Sequence, residues 1–150
     1  MEYQKFIPEG WNEQLEPIHV NNVENLLQEG KVMQGYVTKC DPSYNLYVEL
    51  TPPLIGVIPR EEVEAINIDE TGFPKPNICI NKVNTLLQFK IKDKIGDTVI
   101  LSRKEVGKEA IQWLKEELKV GQIVHGIVKN IRPYGVFVEI GGRNCWIIAY

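Results

Sequence analysis

The chain has 150 residues, of which 43% are hydrophobic and 25% charged, the proportions of an ordinary globular protein. No apolar run reaches the roughly 18–20 residues that a membrane span needs, and the N-terminus does not have the pattern of a signal peptide. We therefore expect a cytoplasmic protein with no membrane partner. The net charge of −3 arises in residues 1–29, which hold one lysine and six glutamates. The remainder is close to neutral, and a near-neutral domain binds nucleic acid only if its cations cluster and stacking adds to them.

The first 20 residues show no sustained hydrophobic period, because Pro8, Gly10 and Pro17 interrupt it. We predict an acidic N-terminal extension over residues 1–28. Near its end, Asn21 or Asn22 is placed to cap a short helix that Gly30 stops.

Five short strands are predicted between residues 31 and 101. They cover Lys31–Cys40, Asn45–Leu50, Leu54–Ile58, Leu86–Lys92 and Thr98–Leu101, and a long loop, residues 64–82, joins the third to the fourth. In the second strand Leu46 and Val48 share one face and Tyr47 has the other. Gly35, in the middle of the first strand, indicates a bulge or a bend. Small all-β units of this kind close into barrels, so we predict a mainly β protein with a five-stranded barrel of the oligonucleotide-binding (OB) type.

A helix follows the predicted barrel. Ser102 and Glu105 have the spacing of a capping box, and Gly121 is placed to end the helix. Its apolar residues fall on one face: Val106, Ala110, Trp113, Leu114 and Leu118. We predict a linker helix over residues 105–119.

The sequence then repeats itself. Residues 30–37 recur as residues 121–128, and residues 44–50 recur as residues 134–140. The offset falls from 91 to 90, so the first copy has one extra residue between positions 38 and 44. A period of this length indicates two domains of one type. We predict a complete barrel over residues 29–104 and an incomplete second one, with three strands, over residues 120–150.

The ordered motifs resemble the S1 RNA-binding domain. They are the paired glycines with following aliphatic residues, the aromatic-rich second strand, Gly-Val-Ile-Pro-Arg-Glu-Glu at 56–62 and Val-Ile-Leu-Ser-Arg-Lys at 99–104. The family is named for the largest protein of the bacterial small ribosomal subunit. The resemblance implies a tandem-repeat translation factor that binds single-stranded RNA, with mRNA as the expected ligand and the small ribosomal subunit as a further partner.

The resemblance also implies which residues bind RNA. Two aromatic positions correspond to Tyr44 and Tyr47 in the first copy and to Tyr134 and Phe137 in the second. The acidic position of the family corresponds to Asp93. The cations that remain as phosphate partners are Lys39, Arg60, Lys90, Lys92, Lys94, Arg103 and Lys104 in the first copy, and Lys129 and Arg132 in the second. The chain departs from the family at two kinds of position. Pro59 and Ala149 stand where a histidine is usual, and Thr98 stands where an arginine is common.

Other chemistry has little support in the sequence. The three cysteines are widely spaced without a CxxC motif, and neither His19 nor His125 lies near one of them, so we expect reduced thiols, no metal and no cofactor. Paired carboxylates occur at residues 61–62 and 116–117, but no nucleophile and base accompany them. We therefore expect no enzymatic activity.

Two further hypotheses remain open. The missing histidine and arginine, with the acidic extension, favour an alternative in which the chain is a protein-interaction module that docks onto the ribosome or another protein. In addition, three strands leave an apolar face uncovered, at Ile123, Val128, Val138 and Ile140. We expect residues 120–150 to dock against the Trp113 helix or to pair with a second copy of the chain.

Overall fold

The computed structural model describes residues 6–11, 15–65, 68–141 and 145–149. Its elements in chain order are α1 (Val23–Glu29), β1 (Met33–Cys40), β2 (Leu46–Val48), β3 (Ile55–Ile58), a 3-10 turn (Arg60–Glu62), α2 (Pro76–Ile80), β4 (Leu86–Ile95), β5 (Thr98–Ser102), α3 (Lys104–Glu116), β6 (Ile127–Arg132), β7 (Gly135–Glu139) and β8 (Cys145–Ala149). Contacts divide the chain into two units, residues 13–106 and residues 1–12 with 107–150.

The first unit contains a closed barrel with the strand order β1-β2-β3-β5-β4. All neighbouring strands are antiparallel except β3 and β5, which are parallel. Closure leaves each strand with two partners, which removes exposed strand edges. The predicted five-stranded OB-type barrel is thus confirmed.

Alternate residues of the strands fill the barrel. Leu46, Ile58, Phe89, Val99 and Leu101 are completely buried, and Val48 is almost so. Tyr47, between Leu46 and Val48, is half-buried on the opposite face. The predicted alternation of β2 is confirmed.

Gly35 does not form the bulge that its position in β1 predicts. It pairs regularly with Leu87, and the register shift lies between Val37 and Lys39. Close packing explains the glycine, because a Cβ there would lie 2.7 Å from Val48 Cγ1 and 3.1 Å from Phe89 Cε1. The bulge predicted as one alternative at Gly35 is therefore wrong, and the other alternative, a bend, stays a prediction.

Asn22 occupies the N-cap position of α1, as predicted, but its side chain makes no capping hydrogen bond. Asn22 precedes the helix, but its Oδ1 accepts a hydrogen bond from His19 N–H (2.9 Å) and its Nδ2 donates to Pro17 O (2.8 Å), so the side chain caps nothing within the helix. Gly30 ends α1 as predicted, in the left-handed conformation with φ of 62°.

The predicted long loop contains a short helix. Pro76 occupies the first turn of α2, where its missing N–H costs nothing, and Cys79 is buried in the core. A single turn has too few residues for a periodic signal, and its prolines read as loop residues. The hairpin after it is tighter than predicted, since β4 continues to Ile95 and only Gly96 and Asp97 form the turn.

In the second unit, β6, β7 and β8 form an antiparallel sheet in that order. The register shift of β1 recurs in β6, between Val128 and Asn130, so the internal repeat extends to a backbone irregularity.

A hydrogen bond from Glu105 N–H to Ser102 Oγ (3.2 Å) confirms the predicted cap of α3. The helix ends at Glu116 rather than near Gly121, because the N–H groups of Glu117 and Leu118 both turn back to Trp113 O.

The described N-terminal residues 6–11 belong to this second unit. The Phe6 ring lies 5.8 Å from that of Trp113 on α3, and Glu9 N–H donates to Glu139 Oε1 (3.2 Å) on β7. The N-terminal segment therefore contacts both the helix and the three-stranded sheet.

Candidate nucleic-acid interface

The register of the barrel aligns five residues in one row across its outer surface. Lys39 pairs with Tyr47, Tyr47 with Val57, Val57 with Ile100, and Ile100 with Asp93. Directly paired residues have their side chains on the same face of a sheet. Lys39 and Asp93 are exposed at the two ends, and the three residues between them are half-buried. The row is thus an apolar strip with a cation at one end and a carboxylate at the other.

Tyr47 is held in a defined position within this row. Lys39 Nζ lies 4.4 Å from the centroid of its ring, within the range of a cation–π contact. The Tyr47 hydroxyl donates a long hydrogen bond to Asp41 Oδ2 (3.4 Å). The ring is therefore oriented by two neighbours while part of it stays accessible.

Tyr44 lies in the turn between β1 and β2, with φ of 65°. Asp41 organises this turn, since its Oδ1 accepts hydrogen bonds from the N–H groups of Ser43 and Asn45, both at 2.9 Å. The bond from the Asn45 backbone, with smaller ones from the Asn45 side chain, Ser43 and the Tyr47 hydroxyl, outweighs partial burial and lowers the pKa of Asp41 below its ordinary value. The ionised carboxylate is thus the form that supports both tyrosines.

Arg60 joins Tyr44 to the loop that follows the 3-10 turn. Its guanidinium carbon lies 5.0 Å from the centroid of Tyr44 and 5.3 Å from that of Phe73. It donates to Asp69 Oδ2 (2.9 Å) and twice to Pro74 O (2.8 and 3.0 Å), and its side chain is only 18% exposed. Arg60, a predicted RNA contact, therefore lies against the rings of Tyr44 and Phe73, and its charge is already paired with Asp69.

Lys92 and Glu62 form a network beside β5. Lys92 Nζ and Ser102 Oγ each donate to the Glu62 carboxylate at 2.5 Å. Burial of Glu62 opposes ionisation, but the hydrogen bonds from Lys92 and Ser102 outweigh it and lower the pKa of Glu62. The hydrogen bond to Glu62 in turn raises the pKa of Lys92. Lys92 pairs with a buried glutamate while 45% of its side chain stays exposed, so its contact with RNA stays a prediction.

Arg103 was predicted on the RNA surface, and the structure buries it. The side chain is 2% exposed and donates from Nη1 to Glu64 Oε1 (3.0 Å) and to Val63 O (3.3 Å). A guanidinium enclosed in this way has its charge paired inside the fold and has no surface to offer a phosphate. We exclude Arg103 from the interface.

Two further predicted residues of the first copy, Asp93 and Lys90, lie at different places on the barrel. Asp93 lies on the row and its Oδ1 accepts a hydrogen bond from Lys94 N–H (2.7 Å). Lys90 pairs with Ser102, and its Nζ would lie 3.8 Å from a Cβ built on Gly30, at the end of α1. Lys90 is thus placed beside α1.

The second copy repeats the aromatic pair. The rings of Tyr134 and Phe137 lie 6.3 Å apart in an edge-to-face arrangement, and Tyr134 is 62% exposed. Asn130 pairs with Phe137 as Lys39 pairs with Tyr47, so this copy has an amide where the first has a cation. Arg132 is exposed at the end of β6, opposite Gly135.

Sequence reasoning missed three residues near these sites. Val57 and Ile100 line the row, and Phe73 packs on Arg60. The outward phase of Val57 was readable from the alternation of β3, but its pairing with Ile100 depends on how the barrel closes. Phe73 lies in the long loop, where no period marks it.

A groove lies elsewhere on the first unit. It is lined by Leu15, Gln34, Glu49 and Thr51, with neighbouring prolines. Among the described residues, no three histidine, cysteine or carboxylate side chains are grouped to hold a metal ion. Within the same part of the chain, no helix has the length and apolar character to cross a bilayer.

A closed barrel with paired aromatic side chains on its outer surface defines a protein of the oligonucleotide-binding barrel class. The model of the S1 RNA binding domain family matches residues 26–110 and 117–149, and the chain belongs to this family.

Known proteins of similar sequence include two kinds. Small ribosomal subunit protein bS1 of Rhizobium meliloti is 41% identical over 144 residues, in an alignment that covers 83% of this chain and 25% of that protein. Polyribonucleotide nucleotidyltransferase of Aquifex aeolicus is 27% identical over 123 residues, covering 80% of this chain and 15% of that enzyme. Among solved structures, GSP13 from Bacillus subtilis is 20% identical with a TM-score of 0.34, covering 63% of this chain and 62% of that one. The chain spans a quarter or less of the length of the relatives in the first two comparisons.

Proposed function

We propose that this chain binds single-stranded RNA by stacking bases on Tyr44 and Tyr47, within a translation factor similar to ribosomal protein S1. Lys39 and other surface cations supply attraction to the phosphates, and mRNA is the expected ligand. The incomplete second repeat offers Tyr134, Phe137 and Arg132 for the same purpose. We further propose the division into an N-terminal extension, a first barrel, a linker helix and a partial second barrel.

The observation that carries this proposal is the row that includes Tyr47. Its ring is oriented by Lys39 and Asp41, and half-buried Val57 and Ile100 continue an apolar surface beside it. Stacking on aromatic side chains is tolerant of sequence, because every base has a π face. Membership of the S1 RNA binding domain family supports RNA as the ligand.

The test is a titration of the chain with labelled oligouridine. Replacing Tyr44 and Tyr47 together by alanine should weaken binding by roughly 2–4 kcal/mol, since a stacked base contributes roughly 1–3 kcal/mol. The matched control is Tyr47→Phe, which keeps the ring and loses only the long hydrogen bond to Asp41. It should bind nearly as tightly as the unaltered chain.

An absence of binding at low salt would contradict the proposal. Retention of the same chain on small ribosomal subunits would then favour the alternative, a module that docks on protein.

We also propose that the chain self-associates through β6. Val128 and Ile131 are 55% and 67% exposed, and β6 is an edge of the described three-stranded sheet. An exposed apolar edge strand is a template for pairing with another chain.

A further inference from the structure

We propose that Phe73 is a third stacking residue for single-stranded RNA, so that the interface extends from the barrel onto the loop of residues 68–74. This inference rests on the proposed function and adds a position that the resemblance to the S1 family does not assign. The ligand it adds is one more nucleotide, stacked beside those on Tyr44 and Tyr47.

Three rings and two cations form two cation–π groups, which Asp41 connects through its hydrogen bonds with the Tyr47 hydroxyl and with Tyr44 N–H. Lys39 lies over Tyr47 (4.4 Å), and the Arg60 guanidinium lies over both Tyr44 (5.0 Å) and Phe73 (5.3 Å). Phe73 is distant from both tyrosines in the sequence, and its side chain is 39% exposed. Arg60 is therefore the link between this ring and Tyr44.

The backbone on both sides of Phe73 is fixed. Asp69 N–H donates to Phe73 O (2.6 Å), and Asp69 Oδ1 accepts from Phe73 N–H (3.3 Å) and from the Thr71 hydroxyl. Residue 74 is held as well, since Pro74 O accepts two hydrogen bonds from Arg60. The ring is thus presented by a closed loop and needs little ordering when a ligand binds.

The chemistry of this cluster favours a base over a phosphate. Arg60 is only 18% exposed, and its charge is shared with Asp69 and Pro74 O, so it is a positioning residue. Phe73 has no hydrogen-bonding group, which leaves stacking as its means of recognition. A stack on Phe73 would add affinity without base preference.

The experiment titrates the full chain with labelled oligouridines of increasing length. Phe73→Ala should weaken binding of the longer oligomers by about 5- to 150-fold, the range that corresponds to one stacked base. It should leave unchanged the shortest oligomers, which Tyr44 and Tyr47 alone can hold. Phe73→Tyr keeps a ring and should restore the affinity.

Two comparisons separate stacking from other effects. Ile80→Ala removes a more exposed apolar side chain on α2, 52% exposed against 39% for Phe73, and should not change the affinity. If Arg60 positions the ring, Phe73→Ala should weaken binding much less in an Arg60→Lys background than in the unaltered chain, because the planar guanidinium that lies over the ring is absent there.

The outcomes distinguish this inference from the proposed function. If Tyr47→Ala weakens binding and Phe73→Ala does not at any length, Phe73 is not a stacking residue and the function stands. If the unaltered chain binds no oligouridine, the proposed function fails and this inference fails with it.

Discussion

At the scale of single residues, Asp41 is the group on which the proposed interface depends most. Its carboxylate closes the turn that carries Tyr44 and accepts the hydrogen bond from the Tyr47 hydroxyl. An aspartate whose pKa is lowered by folding adds stability above its unfolded pKa of about 3.9, and this stability is lost as the pH falls through the lower folded value.

A pH dependence of stability follows from this shift. As the pH falls from about 5 to about 3, the free energy of unfolding should decrease less for Asp41→Asn than for the unaltered chain, because the isosteric amide cannot titrate. Denaturant unfolding at a series of pH values measures both slopes. Equal slopes would show that Asp41 does not contribute in its ionised form.

The predicted cations show that the sequence alone does not reveal which charged side chains are paired in the fold. Tyr47 could be placed on the outer face from the alternation of its own strand. Arg103 and Lys92 read as surface cations, and only the fold shows that Glu64 and Glu62 take up their charges. Pairing across some 30–40 residues of sequence depends on tertiary structure, which local patterns do not contain.

At the scale of elements, the contact between β1 and β2 depends on Gly35. The side chains of Val48 and Phe89 approach Gly35 so closely that they leave no room for a side chain at this point of β1. The same strand then shifts its register before Lys39, which sets the alignment of Lys39 with Tyr47.

A substitution series tests this packing. Gly35→Ala should destabilise the chain by about 1–3 kcal/mol, because the added methyl group overlaps Val48 Cγ1. In a Val48→Ala background the same change should cost at least ~1 kcal/mol less, since the overlapping methyl is gone. Thermal or denaturant unfolding of the unaltered chain, the two single variants and the double variant gives a double-mutant cycle. If the two losses in the free energy of unfolding simply add, the predicted contact between residue 35 and Val48 is contradicted.

The elements also divide by how well the sequence predicts them. The five strands were found because each alternates or is bounded by turn residues, although their ends moved by up to three residues. Helix α2 was missed because it has one turn and begins at a proline. The parallel pairing of β3 with β5 is a property of closure and has no local signal.

At the scale of the whole molecule, two copies of one domain type share a backbone irregularity as well as a sequence motif. The shift between Val37 and Lys39 recurs between Val128 and Asn130. In each copy it precedes the residue that pairs with the aromatic of the next strand. The repeat therefore conserves the geometry of the proposed stacking site, while Lys39 is replaced by Asn130.

Self-association is the prediction that belongs to this scale. Sedimentation of the full chain over a range of concentrations should show a dimer that Ile131→Lys shifts toward monomer, since a charge on an edge strand opposes pairing. Ile95→Lys is the matched control, because Ile95 is 66% exposed, like Ile131 at 67%, but lies on β4 of the closed barrel. A monomer at every concentration would refute the pairing.

The central claim is that RNA lies along the row of residues across the barrel. It is tested most directly by recording backbone amide resonances of the labelled chain during addition of oligouridine. We predict the largest shifts at Lys39, Tyr47, Val57, Ile100 and Asp93. Shifts confined to the groove at Leu15, Glu49 and Thr51, with none at Tyr47, would contradict the account.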